Sequence, residues 1–203
     1  MRPLVALVRR VPAVAWFTAA HVVVFTIVGV ARGQTFLWIY LPLLAASIAV
    51  VVWIDHKWGP IPTVLLWLLS IWAAMHLAGG LAPDPSGRRD ILYNWWLLDG
   101  YLKWDHVVHG FGIGVATAVL AYAARDTDRP LWWAFLFAQG IGVVNETVEN
   151  IFAALVEGSN VGDAANTAWD LGWHLIGSLM AIVWMSKRGI PGTGPARPEL
   201  EGA

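Results

Sequence analysis

The sequence predicts an all-α fold: a polytopic transmembrane helix bundle with six spans and an interfacial amphipathic helix in its third loop. Three observations carry that prediction. Hydrophobic residues make up 58% of the 203-residue chain, charged residues only 13%, and the mean hydropathy is +0.59. Soluble domains carry about 25% charged residues, so this density is too low to cover a water-facing surface. The chain also holds 14 Trp, a residue enriched where membrane meets water. Lastly, runs with few or no charges recur at about 20 residues, the length that a spanning helix needs. The same composition excludes a disordered or collagen-like chain. With no Cys, disulfide scaffolds, thiolate catalysis, iron–sulfur clusters and Cys-type zinc sites are excluded too. A net charge of −1 gives nucleic acid no footing. Membrane lipid is the partner that the composition implies; it says nothing of oligomeric state.

The spans follow in order. Val11–Ala31 is uncharged. It follows a basic start, as a signal peptide would, but exceeds the 7–15 residues of a signal core and reads as a retained helix. The second run is Gly33–Ile54. The third, Trp58–Pro83, has Pro60 and Pro62 near its start, where proline is tolerated. The long third loop opens on the turn-rich GGLAPDPSG. It continues as ILYNWWLLDGYLKW, whose Tyr93, Trp95, Trp96, Tyr101 and Trp104 suit headgroup depth. Residues 88–103 therefore read as an interfacial helix, with an extension of the fourth span as the alternative. The fourth span follows Asp105 and ends before Arg125. The fifth runs from Pro130 to Val156 and contains Glu146 and Glu149; the sixth runs from Ala164 to Ser186 and contains Asp170. Residues 1–190 thus read as one membrane domain, with its polar half at about 100–186. The Gly/Pro-rich residues 191–203 read as a disordered tail.

Orientation comes from Lys and Arg. Nine of them (Arg2, Arg9, Arg10, Lys57, Arg125, Arg129, Lys187, Arg188, Arg197) fall on one side, against Arg32, Arg88, Arg89 and Lys103 on the other. Both termini are therefore expected in the cytoplasm, in a multi-pass protein of the plasma (inner) membrane.

Ionisable residues inside spans are costly and point to function. Here they fall on single helix faces. Asp105 and His109 are one turn apart, and Gly112 and Ala116 continue their stripe. Glu146 and Glu149 share a face with Gln139 and Gly142, flanked by Asn145 and Asn150. Asp163, Asn166, Asp170 and His174 recur at helical steps. WDHVVHGFGIGVA (Trp104–Ala116) and WDLGWHLIGSLMA (Trp169–Ala181) also share the pattern W-D-x3-H-x2-G-x3-A. One span separates the copies, so both run in the same direction. At 1.5 Å per residue, His109 lies ~9 Å below Lys103, His174 ~15 Å below Ala164, and Glu149 and Glu146 ~10 and ~15 Å below Val156. The cluster is thus expected at one depth in the outer leaflet, with His76 close to that layer.

Carboxylate and imidazole ligands suit Mg, Mn, Fe or Zn, and bundles build metal sites from such inward-facing residues. Asp105, His109, Glu146, Glu149, Asp170 and His174 are the candidate ligands of a divalent cation. Glu146 or Glu149 is the candidate general base. Asn145, Asn150, Asp163, Asn166 and His76 are candidate supporting residues. Against this stands a hydrogen-bonded network that only fixes helix packing, with Asp105–His109 and Asp170–His174 paired locally. Two His cannot neutralise four carboxylates, however, so protons or a cation must help. His21 reads as a packed core histidine, His56 as solvated and His106 as facing elsewhere.

WDHVVHGFG, VNETVENIFA and DAANTAWDLGWHLIGS resemble the YjdF-like family of small bacterial membrane proteins and, more distantly, the VanZ-like group. The VanZ-like group is linked to glycopeptide resistance, so the resemblance implies the cell envelope and the positions of the site; it implies no reaction. Three functions compete. The first is a metal-assisted enzyme acting on an envelope lipid or lipid-linked substrate. The second is a non-catalytic envelope protein with a buried polar network. The third, a cation- or proton-coupled carrier, ranks lower because the inner halves of spans four to six are almost free of polar residues.

Overall fold

The computed structural model describes residues 2–34, 37–87, 91–155 and 162–191. It is a helical bundle: α1 (Arg2–Arg10), α2 (Pro12–Ala31), α3 (Leu37–Lys57), α4 (Thr63–Leu81), α5 (Trp104–Ala123), α6 (Pro130–Leu155) and α7 (Ala164–Arg188). Proline opens α2 and α6, where its missing N–H costs nothing. Asp163 caps α7, its side chain accepting the Asn166 N–H at 2.9 Å.

Among the described residues four helices, α2 to α5, are long and apolar enough to cross a membrane. The expected fifth and sixth spans correspond to α6 and α7, of 26 and 25 residues. Their inward carboxylates, His and Asn lower their apolarity below that of the others.

The interfacial helix expected over residues 88–103 is corrected. Residues 88–90 lie outside the described residues, as do 192–203 of the expected disordered tail. From Ile91 onward the chain forms a 3-10 turn (Leu92–Asn94) and an antiparallel hairpin of β1 (Trp96–Leu98) and β2 (Leu102–Lys103). The hairpin turns at Asp99-Gly100, with Gly100 at φ +76°. An Asp-Gly pair between apolar residues is a strong hairpin signal, and here it prevails over helical periodicity. Leu97, Leu98 and Tyr101 remain exposed at its tip.

The short N-terminal helix α1 was not foreseen. It packs on α3. Arg10 fixes it there by bonding the Ile61 carbonyl at 2.9 Å and pairing with Asp55.

Helix α5 is the axis of the molecule, packed against α4, α6 and most extensively α7. Glycines make that α5–α7 contact possible. A Cβ on Gly177 would lie 1.8 Å from the Gly110 carbonyl oxygen, and one on Gly114 2.9 Å from the Gly177 oxygen. Close approach through small residues is how helices associate in lipid. Toward the chain termini, Ile61, Leu65, Ala121, Ala134 and Met185 form an apolar core. Toward the opposite end, the neighbours of α5 hold the polar residues.

Candidate metal centre

The two copies of the W-D-x3-H repeat place their histidines face to face. His109 Nδ1 and His174 Nε2 are 2.8 Å apart, and the rings stack with centroids 5.0 Å apart. Gly142 of α6 makes room for the second ring, since a Cβ there would lie 2.5 Å from His174 Nδ1. One turn further along α6, Glu146 turns inward. Its Oε1 lies 3.1 Å from His109 Nδ1 and 3.7 Å from His174 Nε2. Glu146 is 4% exposed, and its Oε1 is buried without a hydrogen-bond partner among the described residues.

The other nitrogen of His109 serves a second group. Nε2 lies 3.3 Å from Asp105 Oδ1 and 4.0 Å from Glu149 Oε1. Asn166 Nδ2 reaches across the helices, donating to Asp170 Oδ2 at 2.5 Å and to Asp105 Oδ2 at 3.2 Å. The Asn166 carbonyl oxygen accepts from Lys103 Nζ at 2.6 Å. Asp170 is fully buried, and its Oδ1 has no hydrogen-bond partner among the described residues. Thus Asp105, His109 and Asp170 form one compact donor group, and His109, Glu146 and His174 another. Among the described residues Asp170 makes no ion pair with His174, so only the Asp105–His109 half of the expected local pairing is present.

A cavity of about 130 Å³ opens beside this cluster. Asp105, His109, Glu149, Asn145 and Asn166 line one side of it, and Tyr40, His76 and Tyr93 another. Glu149 is held by Asn145 Nδ2, which donates to it at 2.8 Å. Across the cavity the Tyr93 hydroxyl meets His76 Nδ1 at 2.5 Å, and the Tyr40 ring packs edge-on against His76. Burial, then the neighbouring Tyr40 and the Asp105 and Glu149 carboxylates, push the Tyr93 hydroxyl well above its ordinary pKa. It therefore stays a neutral donor. The exposed Ile39, Leu43 and Val148 form the apolar part of the cavity wall.

Residues 13–189 match the family described as "Predicted membrane protein (DUF2238)". The chain belongs to that family. It is therefore an integral membrane protein, built here of helices. The match agrees with the YjdF-like resemblance and gives the VanZ-like one no support. No curated protein and no solved structure matches.

All six expected ligands and His76 thus reach one region, with Asn145 and Asn166 as their hydrogen-bonding support. Two expected supporting residues do not join it. Asp163 is the exposed cap of α7. Asn150 clips α6 to α7, its Nδ2 donating to the Glu146 carbonyl at 2.7 Å and to Thr167 Oγ1 at 3.0 Å. His106 lies outside the cluster, stacked between Trp169 and Trp173, with Nδ1 accepting the Lys103 N–H at 3.2 Å. Sequence reasoning missed Tyr40 and Lys103 and read Tyr93 only as an interfacial aromatic. A signal existed in Gly79-Gly80, which continue α4 instead of breaking it. A Cβ on Gly79 would lie 2.5 Å from the Tyr93 ring, and one on Gly80 2.2 Å from the Tyr40 ring. Two adjacent glycines in a helix cost about 1 kcal/mol each relative to Ala; here they open the space for both tyrosines.

Proposed function

We propose that this protein is a multi-pass protein of the bacterial plasma membrane that holds one divalent cation between α5, α6 and α7 and works on an envelope lipid or lipid-linked substrate. The observation that carries the reading is the buried triangle of His109 Nδ1, His174 Nε2 and Glu146 Oε1, with edges of 2.8, 3.1 and 3.7 Å. Donors around a tetrahedral zinc with bonds of 2.0–2.1 Å sit about 3.3 Å apart. Two imidazoles and one carboxylate suit zinc or ferrous iron better than magnesium. A buried carboxylate oxygen with no donor is otherwise costly, and a cation accounts for it. When bound, the cation supplies Lewis acidity to a water or to a phosphoryl or carbonyl oxygen. With its Oδ1 3.3 Å from His109 Nε2, Asp105 is placed to hold the proton on that nitrogen and so to favour the tautomer that leaves Nδ1 as a ligand. Glu149, outside the triangle but in the cavity, is the general base. Glu146 serves as a ligand.

Six spans with both termini cytoplasmic fit this reading. At 1.5 Å per residue, α6 and α7 measure ~38 Å, enough for a hydrocarbon core of ~30 Å. Their outer faces carry exposed Val144, Ile151, Leu175, Leu179 and Val183, and the carboxylates of Glu146 and Asp170 are buried. The basic-residue bias sets the direction and puts the site in the outer leaflet.

A packing network without metal is the second reading, favoured by the Asn166 bridge between Asp105 and Asp170. Thermal unfolding of chelated protein titrated with Mg, Mn, Fe(II) and Zn separates the two. Metal binding to the folded state raises the melting temperature with concentration. The rise is expected with Zn or Fe(II), is lost in Glu146→Gln and persists in His56→Ala. No rise with any metal leaves the packing network as the account.

A further inference from the structure

A second cavity, of about 370 Å³, runs between α1, α2, α3 and α4. Val22, Leu44, Ile48, Leu69 and Ala73 are among its apolar walls. Three hydroxyls also face it, and each already has a partner. Thr18 donates to the Val14 carbonyl at 2.8 Å and shares a 2.6 Å bond with Ser70. Ser47 donates to the Leu43 carbonyl at 2.9 Å. An occupant meets no unspent hydroxyl among the described residues, so a polar one gives up most of its own hydrogen bonds without replacement. The cavity is also long. Val11 and Val22 both line it, and the α2 segment between them spans ~16 Å, about half of the hydrocarbon core.

Its position relates it to the cavity beside the metal centre. Along α4, Ala73 lines the apolar cavity and His76, one turn on, lines the polar one. Along α3 the change falls between Leu44 and Leu43. Trp72 stands at the junction, its ring centroid 5.7 Å from that of His76. Gly112 of α5 admits the indole, since a Cβ there would lie 2.2 Å from Trp72 Nε1.

We infer that the apolar cavity takes the hydrocarbon chain of a lipid whose oxygen-bearing head group occupies the cavity beside His109 and Glu149. For the head group this rests on the function proposed above; it narrows the substrate class to amphiphiles with a chain that lies inside the bundle. Bilayer lipid solvates a chain as well as apolar side chains do. The cavity therefore selects by position and shape, and the head group supplies the affinity.

The test uses the full chain in phosphatidylcholine nanodiscs, illuminated with hexadecyl phosphate carrying a mid-chain diazirine, and labelled positions are read by mass spectrometry. Val22, Leu44, Ile48 and Ala73 are expected to label in excess over the outward-facing Trp16, Val23 and Val50. Ala73→Trp and Ala15→Phe, which fill the cavity from opposite walls, are expected to lower that labelling roughly tenfold, about 1.4 kcal/mol, with bound metal unchanged. Equal labelling of cavity and outward-facing positions overturns the inference, as does cavity labelling that neither filling variant reduces. If the cavity labels selectively in a protein that binds no metal, the chain site stands and only the metal reading falls.

Discussion

His109 works through both ring nitrogens, and this double use gives each neighbouring carboxylate a different task. Nδ1 faces Glu146 and His174, while Nε2 faces Asp105 at 3.3 Å. On the proposed reading Glu146→Gln removes a ligand and should abolish tight binding of zinc. Asp105→Asn removes only the group that orients His109, so it should weaken zinc roughly 10- to 100-fold, read by competition with a chromophoric chelator. Equal affinity in Asp105→Asn and the parent chain would show that Asp105 does not act through His109. The members of the cluster were legible in the sequence, because Asp105, His109, Glu146, Asp170 and His174 lie at helical spacing on otherwise apolar helices. Their division of labour was not, since spacing fixes a face but not which nitrogen points where. Tyr40 and Tyr93 escaped for a related reason: a tyrosine near a span end reads the same whether it faces headgroups or a cavity. Asp163 was over-read, because a polar residue just before a helix is more often its cap.

Glycine decides the geometry of the elements. Gly177→Ala puts a methyl group against the Gly110 carbonyl and should destabilise the protein by about 1–3 kcal/mol, seen as a lower melting temperature. Gly172→Ala, on the same helix with nothing within 4 Å of the added carbon, should be neutral or stabilising by up to ~1 kcal/mol. If the two variants melt alike, the α5–α7 seam is not as close as described. On α7 the sequence pointed to Gly177, which is in the seam, but on α5 it pointed to Gly112 and Ala116. The seam itself uses Gly110 and Gly114, and Gly112 instead admits Trp72. Which small residue meets a backbone and which meets an indole depends on the rotation of α5, and periodicity alone leaves that open. The third loop shows the converse: Asp99-Gly100 was a local hairpin signal, outweighed on reading by the aromatic pattern around it. Gly100→Ala, at φ +76°, should cost about 1–3 kcal/mol of local stability, and faster amide exchange at Tyr101 and Leu102 checks it.

At the scale of the molecule, the helix directions bring the N-terminal ends of α5 and α7 and the C-terminal end of α6 to one level, which is why the convergence of the cluster could be anticipated from run lengths. Side of the membrane is a separate matter. The chain has no Cys, so a single Asp126→Cys reports cleanly: it should resist a membrane-impermeant maleimide added outside intact cells, and labelling there reverses the topology. The central claim, however, is that three helices converge on a cation, and it concerns composition before it concerns rate. The most direct measurement is metal content per chain by mass spectrometry, after reconstitution with zinc and removal of loosely bound ions. The account predicts one tightly held ion per chain in the parent protein, and close to none in Glu146→Gln and His174→Ala variants that remain folded. A parent chain that retains no metal, or variants that retain as much as the parent, would contradict it.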